Sequence, residues 1–364
     1  MSIRSSILFM IGGLVAFIVY LYFYIGIPQI LEVLSNINSG QYAFYYSLAL
    51  VAVLASVLCW SLAWNSILNA LAIKIALKKT YLYYWVGYFS DLVLPCATVC
   101  GELTRLYLAQ KETGESYGVL AASAITNRLI AYIIVAAGLY SGAALVFLKP
   151  GLTPVIANIF VLFLIGVTIY LAVLLYLAFV KQSAKKFSEI YQKILKKVSP
   201  KRYSVWKKTQ REKTLSGYYN GFKIFRENPR LIAKPLFIHL VSYLLGLSVY
   251  IAIFYALGIP QSPEFYVVIF FIATAVQDAA ASFSVGSLDI ILASILLLYG
   301  INPGLSAVTA LLLRSVGFWF PLFVGFIGVQ VLGARELISH TPRLEMLAKK
   351  KPVSSQKNGL SSTD

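Results

Sequence analysis

The chain has 364 residues, of which 59% are hydrophobic and only 12% are Asp, Glu, Lys or Arg, and its mean hydropathy is +0.77. This composition is too apolar for a soluble domain, and several apolar runs reach the roughly 20 residues that cross about 30 Å of hydrocarbon. The runs are continuous rather than alternating, which disfavours a transmembrane β-barrel and predicts an all-α polytopic membrane protein. The net charge of +17 is interpreted as topology signals and contact with anionic lipid, not as binding of nucleic acid.

The first half of the chain contains four predicted spans and one broken pair of helical arms. The spans cover about residues 7–27, 42–64, 117–148 and 154–180. Between residues 81 and 110, Pro95 and Gly101 interrupt two arms that are each too short for a full crossing. Such irregular backbone survives at membrane depth only when it is covered by protein or faces a wet cavity, so a re-entrant helical hairpin is predicted.

A strongly basic segment separates the two halves. Residues 181–234 contain sixteen Lys or Arg against three Glu, and their periodic apolar residues predict an amphipathic helix on the membrane surface. A sensor of lipid headgroups and an ordinary cytoplasmic connector are both compatible with this segment. Beyond it, spans at about residues 235–257 and 305–332 flank a second predicted hairpin at residues 265–300.

The positive-inside rule orients these elements. The division is residues 1–40, first span and outer loop; 41–180, repeat 1; 181–234, basic cytoplasmic insert; 235–334, repeat 2; and 335–364, a basic, partly disordered tail. With both termini in the cytoplasm, every strongly basic segment lies on one side of the cell membrane. Six full spans result, and the two hairpins enter from opposite faces, which predicts inverted repeats of the kind found in transporters.

Charged residues at predicted membrane depth recur in the two halves. Three charged positions of the first half return 186 or 187 positions later in the second half, which indicates an internal duplication. The six residues are Asp91, Glu102, Arg128, Asp278, Asp289 and Arg314. Ionised groups at this depth cost several kcal/mol unless they are paired or hydrated, so each one is a functional hypothesis.

The predicted site is a cavity between the repeats in which arginines bind a lipid phosphate. An arginine presents a planar fork of donors, and the second arm of each hairpin begins near Gly101 or Gly286, where exposed amides favour an anion. The candidate substrate-binding residues are the six charged ones together with Arg105, Gly101, Gly286 and Gln277. Alternatively, Arg128 pairs with Glu102 and Arg314 with Asp289, which only locks each hairpin to the next span.

No catalytic residue, metal site or cofactor is predicted. The three cysteines, Cys59, Cys96 and Cys100, form no metal pattern and are interpreted as small residues that ease close packing.

One motif resembles a known family. It reads Pro95, Gly101-Glu102-x-x-Arg105 and, on the next span, Arg128. The motif is similar to that of the membrane domain of lysylphosphatidylglycerol synthases, which also exists alone as flippase-like integral membrane proteins. The resemblance covers about residues 10–335, but the second turn has Asp289 where the family usually has Glu, and it lacks proline.

The resemblance implies translocation of anionic or modified lipids between leaflets. The expected function is therefore a flippase for an anionic phospholipid or a polyprenyl-phosphate-linked lipid. The alternatives are a membrane-embedded transferase, with Asp91 or Glu102 as general base, and a non-transporting membrane subunit. The expected partners are lipids with an anionic or phosphate-bearing headgroup, and a homodimer is left open.

Overall fold

The computed structural model of the chain describes residues 32, 35, 37–93, 99–147, 154–179, 209–279 and 284–333. About 90% of it is helix and no strand is present in these ranges, which confirms the predicted all-helical class. The predicted span at residues 7–27, the first part of the basic insert (181–208) and the tail (335–364) lie outside the described residues.

Ten α-helices follow one another along the described ranges. In chain order they are α1 (Ser39–Ala70), α2 (Leu77–Val93), α3 (Val99–Thr113), α4 (Tyr117–Phe147), α5 (Pro154–Phe179), α6 (Thr209–Glu227), α7 (Arg230–Ala256), α8 (Pro263–Ala279), α9 (Ser284–Leu298) and α10 (Pro303–Arg314). After Arg314 the helix continues through a π-helical segment, Ser315–Trp319, into residues 320–333.

Two helix starts show why these boundaries fall where they do. The side chain of Asn38 accepts hydrogen bonds from the backbone N–H groups of Gly40 and Gln41, and Asn302 caps α10 in the same way through Gly304 N–H. Both caps satisfy donors that have no partner within the helix, and Pro303 supplies a preset backbone angle at the first position of α10.

Four helices in the described ranges are long and apolar enough to cross a membrane. They are α1, α4 over Tyr117–Leu145, α7, and the continuous helix Pro303–Gly333. They confirm a multi-pass integral membrane protein, and each one coincides with a predicted span. Helix α5 coincides with a fifth, although its described apolar segment is only Leu164–Val173.

The two broken pairs have arms of the predicted kind. Helices α2 and α8 have 17 residues, and α3 and α9 have 15. At 1.5 Å per residue these arms are about 22–25 Å long, which is short of a full crossing. The total of six spans, the re-entrant course of the hairpins and the inverted relation of the repeats stay predictions.

The basic insert has a helix with a buried apolar face. Helix α6 packs on α4, where a Cβ atom added at Gly217 would lie 2.5 Å from Ser116 Oγ and one added at Gly221 would lie 2.7 Å from Ala122 Cβ. This part of the insert is therefore fixed to the helix bundle by a close helix crossing. Helix α7 then begins at Arg230, five residues before the predicted start of its span.

Candidate functional site

The first hairpin closes around a buried carboxylate. Asp91 Oδ1, near the end of α2, accepts a hydrogen bond of 2.6 Å from the backbone N–H of Gly101 at the start of α3. A Cβ atom at position 101 would lie only 2.1 Å from Asp91 Oδ2 and 2.5 Å from the carbonyl oxygen of Gly87. Position 101 therefore requires glycine because α2 and α3 cross at backbone contact.

Next to this crossing lies a partly buried ion cluster. Glu102 Oε1 accepts from Arg105 Nη2 at 2.8 Å and from Arg128 Nε at 2.7 Å, so one carboxylate binds two arginines. The Arg105 guanidinium also lies 4.3 Å from the centre of the Tyr84 ring, which adds a cation–π contact. The cluster joins α2, α3 and α4, and Glu102 sits in the first turn of α3, where the helix dipole favours an acid.

A chain of buried hydrogen bonds leads from this cluster to the second half. Asn127 Nδ2 donates to the Tyr84 hydroxyl at 2.9 Å, and Asn127 Oδ1 lies 2.8 Å from His239 Nε2 on α7. The His239 ring meets the Trp60 ring edge-on, with 4.5 Å between ring centres. Asn127 was not anticipated from the sequence, because one amide in a long apolar helix does not reveal its partners.

The second half has an acid–arginine pair of different geometry. Arg314 Nε donates to Asp289 Oδ1 at 2.7 Å, and Arg314 Nη2 donates to Asp289 Oδ2 at 2.8 Å. The two side chains are buried and form a bidentate fork between α9 and α10. The π-helical segment begins immediately after Arg314, and such segments are frequent at functional sites.

A cavity of about 220 Å³ lies where the two halves meet. Its apolar wall includes Trp60, Tyr250 and Phe270. Its polar lining comes from both halves and includes Tyr88, Asp91, Thr274, Gln277, Asp289 and Arg314. Taken as ionised, the two carboxylates and the one guanidinium give the lining a formal charge of −1.

The predicted site residues therefore fall into three groups. The residues that line the cavity are Asp91, Gln277, Asp289 and Arg314. The residues of the first hairpin and its ion cluster that are not among the lining residues are Gly101, Glu102, Arg105 and Arg128. Of the remaining two, Gly286 lies in the first turn of α9, and the side chain of Asp278 lies outside the described residues.

Both acid–arginine pairs expected from the sequence are present, namely Glu102 with Arg128 and Asp289 with Arg314. Only the second pair faces the cavity. Within the described ranges, no group of three or more His, Cys, Asp or Glu side chains is arranged to hold a metal ion. Cys100 is disulfide-bonded, which the packing interpretation of the cysteines did not anticipate, whereas Cys59 is a free thiol.

The comparison with protein families gives one match. The model described as lysylphosphatidylglycerol synthase TM region matches residues 9–325. The chain belongs to this family. Membership confirms the resemblance seen in the Gly101-Glu102-x-x-Arg105 motif, and it indicates a membrane protein related to lipid synthesis or flipping. No curated protein and no solved structure matches this chain.

Proposed function

We propose that this family member is a lipid flippase that binds a phosphate-bearing headgroup in the cavity and moves the lipid between leaflets. The observation that supports the proposal is the cavity itself, which lies among membrane-spanning helices and places Arg314 and Asp289 opposite Asp91 of the first hairpin. Ionised groups at membrane depth are costly unless they are paired or hydrated, and a lipid headgroup in the cavity would give its charged side chains a polar partner.

Arg314 is the phosphate-binding residue in this proposal. Its planar fork of donors fits two phosphate oxygens as well as it fits the two carboxylate oxygens of Asp289 that it now contacts. Asp289 thus holds the guanidinium in place while the cavity has no ligand, and an arriving phosphate replaces it. This exchange avoids leaving an arginine buried without a counter-ion, which would cost about 3–5 kcal/mol.

The formal charge of the cavity lining favours one class of lipid headgroup. A phosphate that enters a lining of charge −1 increases the negative charge, whereas a headgroup that also carries an amine compensates for it. The lining also includes the aromatic side chains of Trp60, Tyr88 and Tyr250, which can bind a cation over a ring face. We therefore favour a phospholipid with an amine-bearing headgroup over a purely anionic phospholipid or a polyprenyl phosphate.

Transbilayer movement of fluorescent lipids in proteoliposomes tests the proposal. The label belongs on the acyl chain, so that phosphatidylethanolamine and phosphatidylglycerol keep their native headgroups. Arg314→Gln should reduce the rate about a hundredfold, because a bidentate charged contact contributes about 3 kcal/mol. Arg314→Lys keeps the charge but loses the fork, so it should give an intermediate rate.

Three outcomes would contradict the proposal. A folded Arg314→Gln protein with wild-type rates would remove the role of Arg314. Faster movement of phosphatidylglycerol than of phosphatidylethanolamine would contradict the charge argument. Formation of a new lipid product by the purified protein, without transbilayer movement, would identify a membrane-embedded transferase instead.

A further inference from the structure

The start of α7 carries basic and apolar side chains on one face. Arg230 and Lys234 are exposed in the first two turns, and the exposed fractions of Phe237, Leu240 and Leu244 below them are 67%, 45% and 56%. At 100° per residue these five positions fall within an arc of about 120°. The face therefore has cations at one end and an apolar strip along the rest.

The end of α6 adds further positive charge beside this face. Lys223 and Arg226 are exposed in the last two turns of α6, and α7 begins only three residues after α6 ends. One acid, Glu227, lies 3.6 Å from Lys223. Together with Arg230 and Lys234, these three residues carry a summed charge of +3 when all are ionised.

These basic side chains are held on a fixed support. Tyr218 and Phe222 of α6 are buried against α4. A Cβ atom added at Gly221 would lie 2.7 Å from the Cβ of Ala122 on α4, so the two helices are closely packed. The two exposed cations of α6 are therefore carried by a helix that is already fixed to the bundle, which needs no ordering step when a ligand binds. Preorganisation of this kind increases affinity.

The α6–α7 junction lies at the end of the bundle. Phe225 of α6 shares one core cluster with Ile73 and Ile75, which lie in the connection between α1 and α2. Arg230 begins a helix that is long and apolar enough to cross a membrane. Basic residues at the first turns of such a helix are at the level of lipid headgroups, while Phe237 and Leu244 are at the level of acyl chains.

We infer that one face of α7, the α7 lipid face formed by Arg230, Lys234, Phe237, Leu240 and Leu244, binds an anionic phospholipid. The phosphate contacts Arg230 and Lys234, and an acyl chain lies along the apolar strip. This site is outside the cavity and does not depend on transport activity. The opposite side of α7 lines the cavity through Ser242, Tyr243, Gly246 and Tyr250, so the bound lipid supports one cavity wall from outside.

Photo-crosslinking of the full chain in liposomes tests this inference. A p-benzoylphenylalanine at position 237 captures lipids from an equimolar bilayer of phosphatidylglycerol and phosphatidylcholine, and mass spectrometry identifies the adducts. Each nearby cation contributes roughly a fivefold preference for anionic lipid, so phosphatidylglycerol adducts should exceed the others about tenfold or more. The same probe at Leu162, which is 69% exposed on α5, should capture both lipids equally, because Pro154–Phe179 contains no Lys or Arg.

Charge variants make the result specific to this face. Arg230→Gln/Lys234→Gln should lower the adduct ratio at position 237 at least about fivefold. Lys74→Gln/Lys78→Gln removes the same charge from two exposed side chains, one in the connection between α1 and α2 and one in the first turn of α2, and should leave the ratio unchanged. Equal ratios at positions 237 and 162, or a ratio that Arg230→Gln/Lys234→Gln does not alter, would overturn the inference.

Discussion

The acid–arginine sites of the two halves have similarly spaced charged residues but differ in construction. In the first half, Glu102 is shared by Arg105 and Arg128, and it lies next to the tight α2–α3 crossing at Gly101. In the second half, Asp289 and Arg314 form one bidentate pair that faces the cavity. We expect the first arrangement to hold helices together and the second to exchange partners with a ligand.

The sequence shows where the halves diverge. Positions 187 residues after Gly87, Gly101 and Arg105 hold Thr274, Leu288 and Leu292. The two glycines of the tight crossing and the second arginine of the cluster are thus replaced by residues that all line the cavity. At these positions the second half thus has larger side chains and one cation fewer than the first half, and its residues form part of the cavity wall.

The largest effect is expected from neutralising the Asp289–Arg314 pair. Asp289→Asn/Arg314→Gln keeps similar shapes and avoids an unpaired charge, and it should reduce lipid transport about a hundredfold in a folded protein. Arg128→Gln is the matched variant, because Arg105 still binds Glu102 after the change. It should keep transport within about threefold of the wild type in the same proteoliposome assay, since the site loses no cavity-lining group. An equal loss in both variants would show that the two halves do not differ in function.

The closed crossing can be tested by adding one methyl group. Gly101→Ala places a Cβ atom 2.1 Å from Asp91 Oδ2 and 2.5 Å from the Gly87 carbonyl oxygen. Overpacking against backbone should destabilise the protein by about 3 kcal/mol or more, seen as a large fall in thermal stability in detergent. Gly166→Ala on α5 is the control, because no atom lies within 4 Å of its added Cβ, and it should melt within a few degrees of the wild type. Normal stability of Gly101→Ala would mean that the crossing is looser than these distances require.

A smaller effect is expected from removing the buried hydrogen bonds that Asn127 makes between the two halves. Asn127→Leu removes the amide that joins the Tyr84 hydroxyl to His239 Nε2 and leaves both groups buried without that partner. The expected loss is about 1–3 kcal/mol of stability, again measured by thermal unfolding in detergent. Tyr84→Phe deletes one hydroxyl only and should cost about 1 kcal/mol. If Asn127→Leu were as stable as the wild type, the hydrogen bonds of Asn127 would not help to hold the two halves together.

The smallest effect is expected at an ion pair on the surface of the same hairpin. Lys79 and Glu112 join α2 to α3 with partly exposed side chains. Lys79→Gln should change the stability by less than about 1 kcal/mol, because solvent screens such pairs. A loss as large as that of Gly101→Ala would mean that the surface ion pair stabilises the hairpin as much as its buried crossing does.

The sequence allowed the membrane class and most helix positions to be predicted, because apolar runs and breakers such as Pro95 act locally. The two acid–arginine pairs were an alternative that the sequence left open beside direct binding of a phosphate, because an isolated charge at membrane depth demands a partner. Two facts could not be read from the sequence: the cavity lining does not include Arg128, and Asn127 contacts His239. Both depend on how distant helices pack. The contact of Gly217 and Gly221 with α4 was missed for the same reason, since α6 is too polar to be recognised as part of the bundle.

A structure of the protein with a bound phospholipid tests the central claim most directly. We expect the lipid phosphate to lie about 2.7–2.9 Å from the guanidinium nitrogens of Arg314, with Asp289 released and the Glu102–Arg128 contact unchanged. A lipid phosphate bound at Arg128, with the Asp289–Arg314 pair intact, would contradict the assignment of the second half as the binding site.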